Sequence, residues 1–491
     1  MKKHSIYLFA ALLASAVCVS CQNTEASVPA ETGADPSAPE TEAVTEADPA
    51  DALFTQQKQD NGNKPFTILS CVVQSYEFDA EQENGEAVND AVFFRNRAVE
   101  ELLGLKLQFD FQPGNFEDKE KYFKLVSSSV MAGDKAYDLV TGMISCMVPY
   151  ASSGVYTSFH DIPGLNLDAP WFVTEMNKSM TIDGKLFCYA GDMSLSMYHD
   201  ISVIFANRNM LNANDLEDPY ALVRDGVWTL DRLTAMCKDV GQDLNGDGKM
   251  EVTDDRFGLL YVGIRSVSLQ CAFDINVIGH DGDSLVINPL SERLTTAVGK
   301  LEELFSVSGV YGDNIGDYTE YRSSFIGDRT LFLLGTMSDT EEYRDMKGDY
   351  AILPLPKYDE AQTSYRTLMP TSSQIMFVPI TCDLALTGSV IDAMNYYSYK
   401  LTVPAYYDTT LSEKYSRDEQ TQEMLTLIRE GMTLPLDFAY GSTLGGSGQL
   451  NRITFDTAHE KKSGKLASTY EKDVKQWSKK LDKLLEEYKG E

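Results

Sequence analysis

Oxygen-bearing side chains fall at the first, third, fifth, ninth and twelfth places of "DLNGDGKMEVTD", residues 243–254, and glycine holds the sixth. That spacing belongs to a twelve-residue calcium loop, which wraps side-chain and backbone oxygens around one hard cation. The expected ligands are the side chains of Asp243, Asn245 and Asp247, the backbone carbonyl of Lys249, Glu251 directly or through water, and Asp254. Aspartate at the twelfth place reaches less far than the usual glutamate, so a weaker site is expected. The bland alternative is a hairpin turning at Asn245-Gly246 with its acids merely solvated. Four carboxylates within twelve residues repel one another without a cation, which favours calcium. Helical spacing over residues 230–240 leads into the loop, while "RFGLLYV" leaves it with Phe257, Leu259 and Tyr261 alternating as in a strand. With no second helix to swing, the expected calcium is structural and pins the chain just before Tyr261.

Catalytic chemistry is not announced elsewhere. The histidines, His4, His160, His199, His280 and His459, show no metal-ligand spacing. The run "GSTLGGSGQ" lacks a nucleophile elbow, and no phosphate-binding P-loop occurs. Acid pairs arise by chance among 74 Asp and Glu residues, so their presence does not argue for glycoside hydrolysis. A binding protein rather than an enzyme is expected.

The formal net charge of -32 repels nucleic acid and anionic lipid, and suits a neutral or cationic ligand better than a phosphorylated one. At the N-terminus, Lys2 and Lys3 precede an apolar run over residues 6–19, which fits a signal peptide over residues 1–20. The run ends in "AVCVSCQN", which resembles the lipobox of bacterial lipoproteins with Cys21 as the lipidated residue; Cys18 stands where such boxes carry an aliphatic. Residues 21–60 are acidic and rich in Ala, Thr, Pro and Ser, with no basic residue before Lys58. Such a segment buries too little apolar surface to offset its ordering entropy, so we expect a solvated tether. About 430 residues follow it, enough for two domains. The cysteines Cys71, Cys146, Cys188, Cys237, Cys271 and Cys382 show no CxxC spacing, and buried free thiols are expected.

The elements that must position a site follow from periodicity. "PFTILSCVV" reads as a buried strand, and "EAVNDAVFFRNRAVEELLGL" places Val88, Ala91, Val92, Val99 and Leu102 on one helical face. "LKLQFDF" alternates through Leu105, Leu107, Phe109 and Phe111, a helix is expected near residues 117–131, and "YDLVTG" reads as the next strand. This βαβαβ order implies a parallel α/β sheet whose ligands gather beyond the strands' carboxyl ends, near residues 75–78 and 141–145. Farther on, "VIFANRNML" and "RTLFLLGTM" read as strands. Residues 469–488 carry Tyr470, Val474, Trp477, Leu481, Leu484 and Tyr488 at the spacing of a packed helix.

Several of these stretches, with "GDMSLSMYHDISVIFANRNML", "DPYALVRDGVWTLDRLTAM", "YAILPLPKYDEAQTSYRTL" and "VPAYYDTTLSEKYSRDEQTQEML", together resemble family 1 of the extracellular solute-binding proteins, the sugar-binding lipoproteins of ABC importers. The resemblance implies two α/β lobes joined by hinge strands around a ligand cleft. The chain would cross near residues 187–194 and 365–376, giving one lobe from 61–190 plus about 371–400 and another from about 191–370 plus 401–491. It further implies capture of a carbohydrate, an oligosaccharide above all, for delivery to membrane permease subunits from a lipid anchor at Cys21. Sugars present flat apolar faces and a rim of hydroxyls, so aromatic and polar side chains should meet in the cleft. The positions so implied are Tyr76 and Glu77, with Phe78, after the first strand, Met143 and Ser145 after the third, and Asp192 at the hinge with its carboxylate toward the cleft. Tyr261, Gly335, Thr336 and Met337 complete the set. Trp171 could serve as a platform or as core, whereas Trp228, just before the N-cap Thr229, reads as a staple for its helix. Two other readings stay open: a surface glycan-binding lipoprotein without a permease, and a lipid-anchored glycan-cleaving enzyme.

Overall fold

The computed structural model describes residues 48–490, apart from 283, 314–317, 411–417 and 446–449. Cys21, the expected signal peptide and most of the tether lie outside the described residues. The tether ends sooner than residue 61, because the chain is part of the folded body from Pro49 onward. Phe54 stacks on Tyr396 with ring centroids 3.9 Å apart, and Gln56 Nε2 donates to Asp392 Oδ2 at 2.9 Å. One aromatic ring with a waiting partner outweighs the acidic composition around it.

The strands, in chain order, are β1 (Lys64–Cys71), β2 (Leu105–Gln112), β3 (Leu139–Met143), β4 (Tyr156–Thr157), β5 (Ser202–Asn207), β6 (Phe257–Val262), β7 (Ile278–Asp281), β8 (Ser284–Ile287), β9 (Val310–Asp313), β10 (Thr330–Thr336), β11 (Tyr350–Leu353), β12 (Thr367–Leu368), β13 (Gln374–Pro379) and β14 (Met432–Thr433). Two five-stranded sheets carry the fold, in the orders β2-β1-β3-β13-β4 and β11-β5-β10-β6-β9. In the first, β2, β1 and β3 run parallel and β13 runs against them. In the second, β9, β6 and β10 run parallel and β5 runs against them.

The parallel strands are covered on both faces, so their apolar residues run on without alternating. All seven residues of β10 and all six of β6 are buried. Burying a Leu or Phe side chain contributes roughly 1.5–3 kcal/mol, so these central strands anchor their lobe. Strand β2 lies at an edge, and there the alternation read from the sequence is only half buried. The helix Ala87–Leu103 crosses from β1 to β2 with Ala91, Val92, Val99 and Leu103 inward. It stops at Gly104, whose φ of 59° and whose 2.7 Å clearance from the Gln59 carbonyl exclude any side chain. The helix Lys119–Ala132 then leads to β3.

Two expected elements change at their ends. The strand in "VIFANRNML" stops at Asn207, because the Asn207 side chain accepts from Met210 N and starts the helix Arg208–Ala213. The helix before the acidic loop closes at Cys237 rather than at 240, since Lys238 is extended. The terminal helix Leu466–Lys489 buries Tyr470, Trp477, Leu481, Leu484 and Tyr488 as its spacing requires. Cys71, Cys146, Cys188, Cys237 and Cys271 are buried free thiols, with Cys382 half-buried. No helix among the described residues is long and apolar enough to cross a membrane.

The segments around residues 189 and 376, where the chain passes between the sheets, are tied to each other. Tyr189 N donates to Met376 O at 3.1 Å, and Met376 N returns a bond to Tyr189 O at 2.8 Å.

Candidate functional site

Parallel strands deliver their carboxyl ends to one side of a sheet, and here both sheets aim those ends at residues 371–373. From the first sheet, Gln74 Nε2 donates to Ser372 O at 2.8 Å. Ile144 N reaches Ser373 O and Ser145 N reaches Thr371 O, each at 3.0 Å. Toward the second sheet, Ser372 Oγ donates to Asp200 Oδ2 at 2.7 Å, two residues before β5. Strand pairing sets Ser202 against Thr336, so the carboxyl end of β10 lies alongside. A cavity of about 400 Å³ opens at this meeting point, with Asp200, Ser202, Arg265, Thr336, Ser372 and Arg452 among its lining residues. Larger surface grooves of about 680 and 660 Å³ lie elsewhere, around Asp231 and around Lys357, away from the strand ends.

Tyr76 and Glu77 sit in the turn after β1; Tyr76 is 47% exposed, whereas Glu77 is fully buried. That turn is held from beneath by Arg95, itself fully buried. Its Nη1 donates to Glu77 O and its Nη2 to Phe78 O, both at 2.8 Å, and Asn96 accepts from its Nε and Nη2. Burial brings the Arg95 guanidinium down to about 10, so it stays charged at neutral pH. Met143 and Ser145 follow β3 beside residues 371–373. Thr336 lines the cavity, and its N–H donates to Asp339 Oδ2 at 2.9 Å. A Cβ on Gly335 would stand 2.3 Å from that same oxygen, so the turn closes only over glycine. Met337 is buried behind it.

Of the expected contacts Thr336 lines the cavity, and two of the others are turned into the protein interior. Asp192 is 1% exposed, and its carboxylate meets Arg429 Nη2 and the Tyr198 hydroxyl, each at 2.5 Å. Burial pushes the Asp192 carboxyl up while Arg429 and Tyr198 pull it back; it is a buried ion pair within the fold. Tyr261 packs on Phe305 at 4.8 Å and turns its hydroxyl to His459 Nδ1 at 3.2 Å. Three residues beyond that strand's carboxyl end stands Arg265, and it is Arg265 that reaches the cavity. Trp171 is core, donating from Nε1 to Asp392 Oδ1 at 2.9 Å. Trp228 is core as well, bonded to Pro354 O at 2.9 Å.

Charges around the cavity are mostly paired. Asp200 accepts from His199 Nδ1 and Ser372 Oγ, both at 2.7 Å. Burial raises its carboxyl, but those bonds and the charges of His199 and Arg265 bring it below the usual carboxylate range. His199 is raised in turn, first by its bond to Asp200. Arg322 pairs with Asp339 at 2.9 Å, and Arg452 with Asp456 at 2.9 Å. Glu77 differs: neither of its oxygens forms a hydrogen bond of normal geometry. Burial pushes its carboxyl up to about 8, against Ser196 and Arg95 nearby, so at neutral pH it is mostly a neutral acid.

No protein-family model matches the sequence, and no curated protein does either. Solved structures do match the fold. A cyclo/maltodextrin-binding protein complexed with maltotetraose superposes with a TM-score of 0.56 at 11% identity, covering 87% of this chain and 99% of that one. The maltose-binding periplasmic protein of Listeria monocytogenes, in complex with maltose, gives 0.54 at 14% identity over 84% and 97%. An ABC transporter solute-binding protein of Thermotoga lettingae, bound with α-D-tagatose, gives 0.51 at 13% over 85% and 100%. This chain has the solute-binding-protein fold.

In this solute-binding fold the acidic loop lies away from the cleft. It is closed by the reciprocal bonds of Gln242 and Arg256 at the amino end of β6, whereas the cavity is at the carboxyl end, roughly 20 Å along the strand. Asp243 accepts from Gly246 N at 2.6 Å and Gly248 N at 2.8 Å. Asn245 accepts from Asp247 N at 2.9 Å, and Asp247 from Lys249 N at 2.8 Å. The acid turned inward is Asp255, next to the expected Asp254. Its two oxygens accept from Leu244 N at 2.9 Å and Glu251 N at 2.7 Å, which holds its carboxyl below the usual range. Among the described residues no three His, Cys, Asp or Glu side chains converge as a metal centre. The first, third and fifth places are thus oriented by the loop's own N–H groups.

Proposed function

We propose that this chain captures a carbohydrate in the cleft between its two sheets and delivers it to the permease subunits of an ABC importer. Its mechanism is binding with closure of one lobe on the other, not bond chemistry. The observation that carries the reading is the meeting of both sheets' strand ends at one cavity, lined by hydroxyl, amide and charged groups together with Leu368, Pro370 and Phe438, with Tyr76 exposed in the turn after β1. Apolar and aromatic side chains interleaved with polar groups suit a ring with apolar faces and a hydroxyl rim. Neighbours of the same fold whose structures hold maltotetraose, maltose and tagatose support the same class of ligand. The test is a thermal-shift screen of the mature protein against mono- and oligosaccharides. A ligand at 100 times its Kd adds about 2.7 kcal/mol of stability; no shift with any sugar would overturn the reading.

The N-terminal pattern supports an extracytoplasmic chain held at the bacterial membrane by lipidated Cys21. Cys21→Ala should abolish lipid labelling and membrane partition, and unchanged labelling would refute the anchor. The loop at residues 243–254 is proposed as a calcium site, supported by its spacing and by Gly248 donating to Asp243. Calcium would draw Glu251 and Asp254 inward and brace the base of β6 rather than a cleft wall. Chelation should lower Tm and calcium should restore it, while Asp243→Ala with Asp247→Ala should abolish the response. A Tm indifferent to both additions would leave the loop as a turn.

A further inference from the structure

Arg265 stands in the turn Gly263–Ser266, directly beyond the carboxyl end of β6, and lines the cleft cavity. None of its guanidinium N–H groups meets an acceptor among the described residues, and it forms no ion pair with any of them. Its Nη1 is wholly buried without a partner. The contact that supports it is the Tyr318 ring, whose centroid lies 4.1 Å from its Cζ. A guanidinium resting on an aromatic ring keeps its N–H edge available, and that edge matches a carboxylate with two parallel bonds.

Carboxylates are plentiful in this chain, 74 Asp and Glu against 42 Lys and Arg, yet none among the described residues pairs with this cation at the cavity. Its neighbours have all found one: Arg322, at the same 4.1 Å from the Tyr318 ring, pairs with Asp339, and Arg452 pairs with Asp456. Asp200, the acid on the cavity wall, is engaged by His199 and Ser372. Leaving a buried donor unmatched destabilises the fold, and a ligand acceptor would recover that loss.

We propose that the cleft is built for an acidic sugar, a uronate or an oligosaccharide containing one, with Arg265 as the counter-ion of its carboxylate. This rests on the carbohydrate reading above and narrows it. The overall charge of -32 does not forbid such a ligand, because exposed charges beyond about 8–10 Å are screened at physiological ionic strength. Ser268, Thr336, Ser372 and Asn451 on the same cavity wall supply partners for the hydroxyl rim.

The test is calorimetric titration with matched pairs: glucuronate and glucose, galacturonate and galactose, trigalacturonate and its methyl ester. At least one acid should bind ten times or more tighter than its neutral partner, and its affinity should fall as salt is raised from 0.05 to 0.5 M. In Arg265→Gln the acid-to-neutral ratio should drop ten- to a hundredfold, the loss expected for a hydrogen bond to a charged group. Arg265→Lys should keep part of it. Should Arg265→Gln fail to fold, the lysine variant and the wild-type salt dependence decide the matter. Neutral members binding as tightly as their acids, or a ratio unchanged by the substitutions, would overturn the acidic ligand and leave the carbohydrate reading standing. Silence of every pair would overturn the acidic ligand, while the carbohydrate reading falls only if the thermal-shift screen is silent with every sugar as well.

Discussion

Sheet by sheet, the two halves of the fold are built alike. The first places its parallel strands in the order second, first, third (β2, β1, β3) with β13 antiparallel beside them; the second repeats this with β9, β6, β10 and β5. The antiparallel strand arrives from opposite directions, since β13 returns late in the chain and β5 comes straight from the first half. The walls that these like frames present to the cleft are unlike. On the first, the turn after β1 is fixed through backbone carbonyls by the buried Arg95 and shows an uncharged face, Tyr76 outward and Glu77 protonated beneath it. On the second, ion pairs surround one unpaired guanidinium. A shared frame thus fixes where a ligand sits, and the turns after the strands fix which chemistry it meets.

Four substitutions break or sharpen that contrast. The largest effect is expected at the hidden support of the uncharged wall. Arg95→Met strands the Glu77 carbonyl and the Asn96 amide oxygen, at roughly 1–3 kcal/mol each, and adds the loss of a second bond to the Phe78 carbonyl. A denaturation midpoint lowered by about 3 kcal/mol or more is expected, and a shift under 1 kcal/mol would refute the support. Next comes Asp192→Ala, which leaves Arg429 without its acid. Removing one partner of a buried pair costs about 3–5 kcal/mol, but Arg429 is 25% exposed, so roughly 2–4 kcal/mol is expected. The loss should appear as stability first; weaker sugar binding in a variant of unchanged stability would return Asp192 to the cleft.

Glu77 gives an effect of opposite sign that grows with pH. Its folded value of about 8 lies above the ordinary 4.5, so between these pH values the unfolded chain releases a proton that the folded chain keeps. Stability from this group is therefore fully present below 4.5 and is lost as pH rises, at up to roughly 1.4 kcal/mol per pH unit. Glu77→Gln should flatten the slope of Tm against pH in that window and melt higher than wild type at pH 8. A parallel slope would show the carboxylate to be charged already at neutral pH. Tyr76→Ala should move stability least, by under about 1 kcal/mol for a half-exposed ring, while weakening a confirmed sugar ligand about tenfold. An unchanged isotherm would take the first wall out of the site.

The sequence carried the frame far better than the second wall. Strand and helix periods over β1, β2 and β3 carried the parallel order, and that order pointed to residues 75–78 and 141–145 as strand ends, whereas residues 335–337 came from the family resemblance. Tyr261 came from the resemblance as well; it lies inside β6, and the cavity is reached instead by Arg265, three residues beyond that strand's end at Val262. Asp192 could not be placed, since its partner Arg429 stands 237 residues away and no local spacing announces it. Asp200, Ser372 and Arg452 are likewise gathered only by the fold. The acidic loop was legible as a pattern but not in position, because its distance from the cleft depends on which end of β6 it meets.

The reciprocal bonds between Tyr189 and Met376 bear on the closure proposed above. Met376 lies within β13, so the segment leading toward the second sheet is fastened at Tyr189 to a strand of the first. A connection already fastened has less freedom left to lose when a ligand is held, and more of the contact energy is left to appear as affinity.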